Sequence, residues 1–186
     1  MAEKRLFQAI VGVDIVKMKE ICEKERNEIN INSTKSNGKG WTFLMAAVRS
    51  GNVDILNYIL IEFADSLFVD MRDSIDGSTA LHTACYRNNF QMVYSLVSLG
   101  RANLNIINTY GETPLFDAVK NENFEIASFL LQNGAFTSVV NKERKLPFQE
   151  SGISLKMKLL LTNFLVKIPY NWPSLGLCDV GFVYND

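Results

Sequence analysis

Four stretches of the chain carry the same kinds of side chain at the same offsets, and this internal register limits the fold more than any other feature. Taking Gly111 as the first position of one copy, Gly77 opens another 34 residues earlier, Gly40 a third 37 residues before that, and Ala2 a weaker fourth. The fifth position reads Leu6, Leu44, Leu81, Leu115. The eighth reads Ala9, Ala47, Ala84, Ala118, and the ninth Ile10, Val48, Cys85, Val119. The fourteenth is Ile15, Val53, Phe90, Phe124, and the twentieth Ile21, Ile59, Leu96, Leu130. Unrelated helices would not hold one register in five columns, so the chain reads as an array of one repeated unit.

The copy GETPLFDAVKNENFEIASFLLQNGA shows what the unit is. Thr113 is placed to cap a helix with its hydroxyl. Pro114 follows at the first helical position, where no N–H is needed. Leu115, Ala118 and Val119 share one face at i, i+3, i+4 spacing. Phe124, Ala127, Leu130 and Leu131 form the stripe of a second helix, which Asn133-Gly134 ends. Neither helix is long enough to stand alone in water. Each pair therefore has to be covered by a neighbour, and the units must stack.

These residues resemble the ankyrin repeat, whose units run about 33 residues around a T-P-L-H-x-A core. Thr113-Pro114-Leu115-Phe116-Asp117-Ala118 departs from that core only at Phe116. Thr79-Ala80-Leu81-His82-Thr83-Ala84 departs only at Ala80. The copy at Gly40 is looser, with Phe43 and Met45 at the Pro and His places. The resemblance covers roughly residues 2–140 and implies an all-α solenoid of four to five helix-turn-helix repeats with β-hairpin-like fingers. Repeats are expected near 2–39, 40–76, 77–110 and 111–143, with a degenerate cap at 144–167. Lys145-Leu146-Pro147-Phe148 echoes the Thr-Pro-Leu region of that cap, and a terminal repeat is atypical because one face meets water. Residues 168–186 form a tail expected to pack on or near the last repeat. Its aromatics Tyr170, Trp172, Phe182 and Tyr184 are read as a seal, the alternative being a docking peptide. The link IEFADSLFVDMRDSID is three residues longer than its successor, so extra chain should bulge at a finger or after a second helix.

Composition narrows function. The 186 residues carry a formal net charge of −1, which gives no general hold on a nucleic-acid backbone. Three scattered cysteines, Cys22, Cys85 and Cys178, suit a reducing compartment better than a disulfide framework. The N-terminus MAEKRLFQAIVGVD lacks the form of a secretory signal, and no run approaches the roughly 18 apolar residues of a membrane span. The expected setting is the cytoplasm, with passage to the nucleus open.

Motifs for chemistry are weak. His82 is the only histidine; the resemblance implies that it hydrogen-bonds within its turn and braces a neighbouring repeat. Cys85 falls in an apolar column and reads as a buried small hydrophobe. Asp70, Asp73 and Asp76 precede Gly77, but Arg72 occupies the first ligand place of an EF-hand loop. Gly38-Lys39-Gly40 lacks P-loop spacing. No cofactor or metal is implied. The acidic run Glu62, Asp65, Asp70, Asp73, Asp76, countered locally by Arg72, is read either as a solvated loop or as a patch for a basic segment of a partner.

The resemblance also implies a concave face built from fingers and first helices. Its finger residues are Asn37, Lys39, Asp73, Ile75, Asp76, Thr109 and Tyr110. Its first-helix residues are Trp41, Arg49, Ser50, Ser78, Tyr86, Arg87, Glu112, Asp117, Lys120 and Asn121. Of these, Trp41, Arg49, Asp73, Ile75, Tyr86, Arg87, Tyr110, Glu112, Asp117 and Lys120 are the partner-binding candidates, with Trp41 as an anchor. Aromatics and arginines dominate interface energies. The expected function is a non-enzymatic, monomeric protein-interaction module: adaptor, scaffold or stoichiometric inhibitor. The alternatives are a substrate receptor of a ubiquitin ligase and a pathogen protein imitating a host ankyrin-repeat inhibitor.

Overall fold

The structure is a computed structural model and describes residues 1–34 and 40–165. Nine α-helices are present among them and no strand. They run α1 (Ala2–Val11), α2 (Ile15–Glu25), α3 (Phe43–Ser50), α4 (Val53–Glu62), α5 (Ala80–Tyr86), α6 (Phe90–Ser98), α7 (Pro114–Lys120), α8 (Phe124–Gln132) and α9 (Leu155–Leu165). First helices stack in one layer, α1 on α3, α3 on α5 and α5 on α7. Second helices make the other layer, α4 on α6, α6 on α8 and α8 on α9. In the fifth unit the first helix shrinks to a single 3-10 turn, Pro147–Gln149, packed on α7 and α9.

The repeat columns are the core. Every member of the leucine, alanine and ninth-position columns is buried, as is every member of the twentieth. The fourteenth-position residues Ile15, Val53, Phe90 and Phe124 are all half-buried and packed against the core, so even partial exposure repeats. Second helices are capped alike. Asp14, Asn52, Asn89 and Asn123 accept the N–H of Lys17, Ile55, Met92 and Ile126 at 2.9–3.2 Å.

The fingers are turns closed by backbone bonds. Asp73 N–H donates to Ser78 O, Asn108 N–H to Glu112 O and Asn141 N–H to Lys145 O at 2.9–3.0 Å. Successive fingers join as well, Thr109 N–H to Asp76 O and Lys142 N–H to Tyr110 O. Gly77 and Gly111 turn these fingers at φ of +70° and +77°. A Cβ at Gly111 would lie 3.1 Å from the Lys142 nitrogen. The cap places Arg144 in the same left-handed turn at φ +60°, a further departure from the repeat pattern. The long link spends its extra residues at both expected places. One lengthens α4 at its end, one lies in the turn after it at Phe63–Leu67, and one lies within the finger after Asp73.

First-helix capping departs from expectation at Thr113. Thr42 and Thr79 hydroxyls accept from Met45 and His82 N–H. The Thr113 hydroxyl is buried and makes no hydrogen bond. The reason is local: Phe116 N–H donates to the Thr113 carbonyl at 2.9 Å, so the donor that a capping hydroxyl needs is spent. Phe116, standing where the motif has histidine, offers no ring nitrogen in its place.

This asymmetry predicts opposite outcomes for one substitution. Thr79→Val should cost about 1–2 kcal/mol in chemical denaturation. Thr113→Val should stay within about 0.5 kcal/mol of the parent or stabilise it, since it removes a buried hydroxyl that has no partner.

Candidate functional site

His82, in α5, is 1% exposed. Thr79 N–H donates to its Nδ1 at 3.2 Å, which leaves Nε2 as the protonated nitrogen, donating to Glu112 O at 3.0 Å. Burial holds its pKa below the usual histidine value. The ring thus ties its own turn to the next repeat, as the resemblance implied, and both nitrogens are committed. Cys85 is fully buried, and burial pushes its thiol well above the ordinary range, away from a reactive thiolate.

Between the first helices and the fingers lies a recess of about 250 Å³. Arg49 of α3, Tyr86 and Arg87 at the end of α5, Tyr110 of a finger, and Glu112 and Asp117 of the fourth repeat line it. Six of the ten candidate residues therefore meet at one place. Tyr86 and Tyr110 are 70% and 59% exposed.

The other four candidates, Trp41, Asp73, Ile75 and Lys120, do not line the recess. Trp41 is no free-standing anchor: its ring is half-buried against the core, and the Arg49 guanidinium lies over it at 4.0 Å. Asp73 is buried and accepts the N–H groups of Ile75, Asp76 and Gly77, each at 3.1 Å. It shapes the finger from inside. Ile75 is exposed at that finger's tip. Glu112, which lines the recess, is itself buried, and its carboxylate accepts from Lys120 Nζ and Asn141 Nδ2. Lys120 is exposed and spends its charge on Glu112. The expectations for Asn37, Lys39, Gly38-Lys39 and residues 168–186, including the tail aromatics, lie outside the described residues.

Nor does the acidic run stand as a free patch. Glu62 pairs with Arg26 of the first repeat, and Asp70 accepts from Asn103 N–H at 3.0 Å. Asp76 accepts from Ser78 N–H. Arg72 forms no ion pair among the described residues; it donates to the carbonyls of Gly77 and Ile107. Four of the five acids and their one local cation are thus taken up in joining repeats and shaping fingers. Asp76 and Ser78, which the sequence reading placed on this face, also line the recess, as do His82, Thr83 and Asn108, which it did not place there; Asn108 carried a signal, being the counterpart of Asp73 one repeat on.

Asp117 is the unusual acid. It lines the recess, and burial, helped by the charge of Glu112 and opposed by Lys120, pushes its pKa up to about 7.

Stacked helix pairs joined by left-handed finger turns, with a recess between fingers and first helices, define a repeat solenoid. The family profile for ankyrin repeats in three copies matches residues 61–141, and that for a single ankyrin repeat matches 39–74. The chain belongs to the ankyrin repeat family. It is similar to human BCL-6 corepressor-like protein 1, 41% identical over 96 residues, 52% of this chain and 5% of that protein. It is 31% identical over 121 residues to the probable 26S proteasome regulatory subunit p28 of Saccharomyces cerevisiae, 64% of this chain and 53% of that one. It is 26% identical over 137 residues to the I-Kappa-B like protein C2 of Microplitis demolitor bracovirus, 70% of this chain and 76% of that one. The chain thus spans about half the length of p28 and a twentieth of the corepressor-like protein. Ankyrin repeats mediate protein–protein interaction, and among the described residues no helix is long and apolar enough to cross a membrane.

The Asp117 carboxyl gives a stability signature with a definite sign. Its folded pKa of about 7 lies above the ordinary 3.8, so the folded state holds a proton that the unfolded chain releases. Stability from this group is full below the lower value and is lost as pH rises to about 7, by at most about 1.4 kcal/mol per pH unit. Asp117→Asn should therefore gain stability relative to the parent between pH 4 and 7, with no further change above. Urea unfolding of both proteins across that range measures it, and taking their difference cancels the opposite trend from His82.

Proposed function

We propose that this chain is a non-enzymatic interaction module that docks a protein partner on its finger and first-helix side, over the recess. One observation carries the reading: side chains from three successive repeats converge there, with two tyrosines and an arginine exposed at the rim. Such residues supply most binding energy at interfaces. The stacked helices hold them in place before a partner arrives, so little ordering entropy opposes docking. The two residues closest to a catalytic pattern, His82 and Cys85, are buried and serve packing and bracing, which supports a non-enzymatic role. A monomer acting in the cytoplasm fits the same reading.

Among roles for such a module, a stoichiometric inhibitor is favoured by the I-Kappa-B like relative, 76% of whose length is spanned. Binding alone would suffice for that activity.

The test is affinity capture from a cell lysate with mass spectrometry, comparing the parent with Tyr86→Ala/Tyr110→Ala. Both side chains are exposed, so the variant should unfold at the parent's temperature. It should recover the parent's specific partners at least about tenfold less well. Equal recovery by the folded variant would overturn the assignment of this face.

A further inference from the structure

Arg49 is held in an unusual state. Its guanidinium lies 4.0 Å over the Trp41 ring, its Nε is buried without a hydrogen-bond partner, and it faces the recess. Arg87 lines the same recess. Neither arginine has an ion-pair partner among the described residues. Burial lowers the Arg49 pKa; the charges of Asp73 and Asp76 oppose this, and the positive charge of Arg87 adds to it. Two like charges, one stacked and part-desolvated, are costly to keep side by side unless an opposite charge joins them.

The acids around the recess do not complete them. Glu112 is taken by Lys120 and Asn141, while Asp73 and Asp76 act on Arg49 only through space, forming no ion pair with it and giving oxygens to finger N–H groups. Asp117, with its pKa pushed up to about 7, is part-protonated near neutrality. Two recess arginines without an ion pair therefore point to a guest that brings its own negative charge.

We infer that the recess receives a carboxylate side chain from an acidic segment of the partner, gripped by the terminal guanidinium nitrogens of Arg49 and flanked by Arg87. This rests on the docking face proposed above and names its chemistry. A planar guanidinium offers two parallel N–H donors to one carboxylate, and the Trp41 stack fixes the plane of that fork before binding. The sign is opposite to a basic segment on the acidic run, whose charges are mostly engaged within the protein. The exposed rings of Tyr86 and Tyr110 would flank the peptide that carries the carboxylate.

The experiment titrates the full chain into fluorescein-labelled hexaglutamate and, separately, hexalysine, read by fluorescence anisotropy. The formal charge of −1 gives little background attraction for a polyanion. Hexaglutamate should bind in preference to hexalysine and should shift the Arg49 Nε–H signal in an NMR titration. Arg49→Lys keeps the charge but loses the fork, and it should weaken binding about tenfold, as should Arg87→Gln at the exposed rim. Preference for hexalysine, no binding of hexaglutamate, or binding that survives both variants would each overturn the inference. If that happens while Tyr86→Ala/Tyr110→Ala still loses its partners, the docking face stands with another chemistry. If the tyrosine variant also keeps its partners, the face itself falls.

Discussion

The close packing of one short helix pair on the next is the constraint on which the rest depends. The helices are 7 to 11 residues long, below the length that holds in water alone. Alanine at the eighth position of each unit, 0–3% exposed, leaves room for first helices to approach closely. Leucine and β-branched neighbours then fill the interface, each worth roughly 1.5–3 kcal/mol when fully buried. No unit covers its own apolar face, so order in one repeat depends on the repeat beside it. That same stacking brings residues of three repeats to one recess and holds them there.

Polar side chains join the layers where apolar packing stops. Asn32 accepts from Phe68 N–H and donates to Ser66 O, while Asn105 does the same with Phe136 and Gly134. His82 reaches across to Glu112 O, and Asn141 donates to both Glu112 and Glu150, tying the fourth repeat to the cap. These residues satisfy loop backbone groups that would otherwise be left without partners. The array is therefore bonded twice, by packing between helices and by amides and carboxylates between loops and fingers. Arg49 and Arg87 share the recess yet form no ion pair among the described residues.

Much of the fold was legible because burial repeats with the unit. The leucine, alanine and ninth-position columns and the glycine turns follow from side-chain type at a fixed offset, and the role of His82 from the resemblance to the family. The site was legible only in part. Tyr86, Arg87 and Tyr110 read correctly as exposed because their positions turn away from the core face. Asp73 and Glu112 did not, since an acid in a finger looks the same in sequence whether it meets water or folds back on the backbone. Trp41 misled for a related reason: it lies outside the repeat columns, yet a large ring can lie along the core edge and support an arginine. Thr113 failed as a cap through a competition between two acceptors for one N–H, which residue identity does not reveal.

What this sequence determined alone was the periodic part: which residues go inside, where the chain turns, and that the units must lean on one another. Those properties are local in each copy and written several times over. Only the tertiary structure decided which charges are spent and which remain. The partners of Glu62, Arg72, Asp70 and Glu112 lie about one repeat away or in a neighbouring turn, and distance in space rather than order in the chain pairs them. The uncompensated arginines of the recess became visible once that pairing was known.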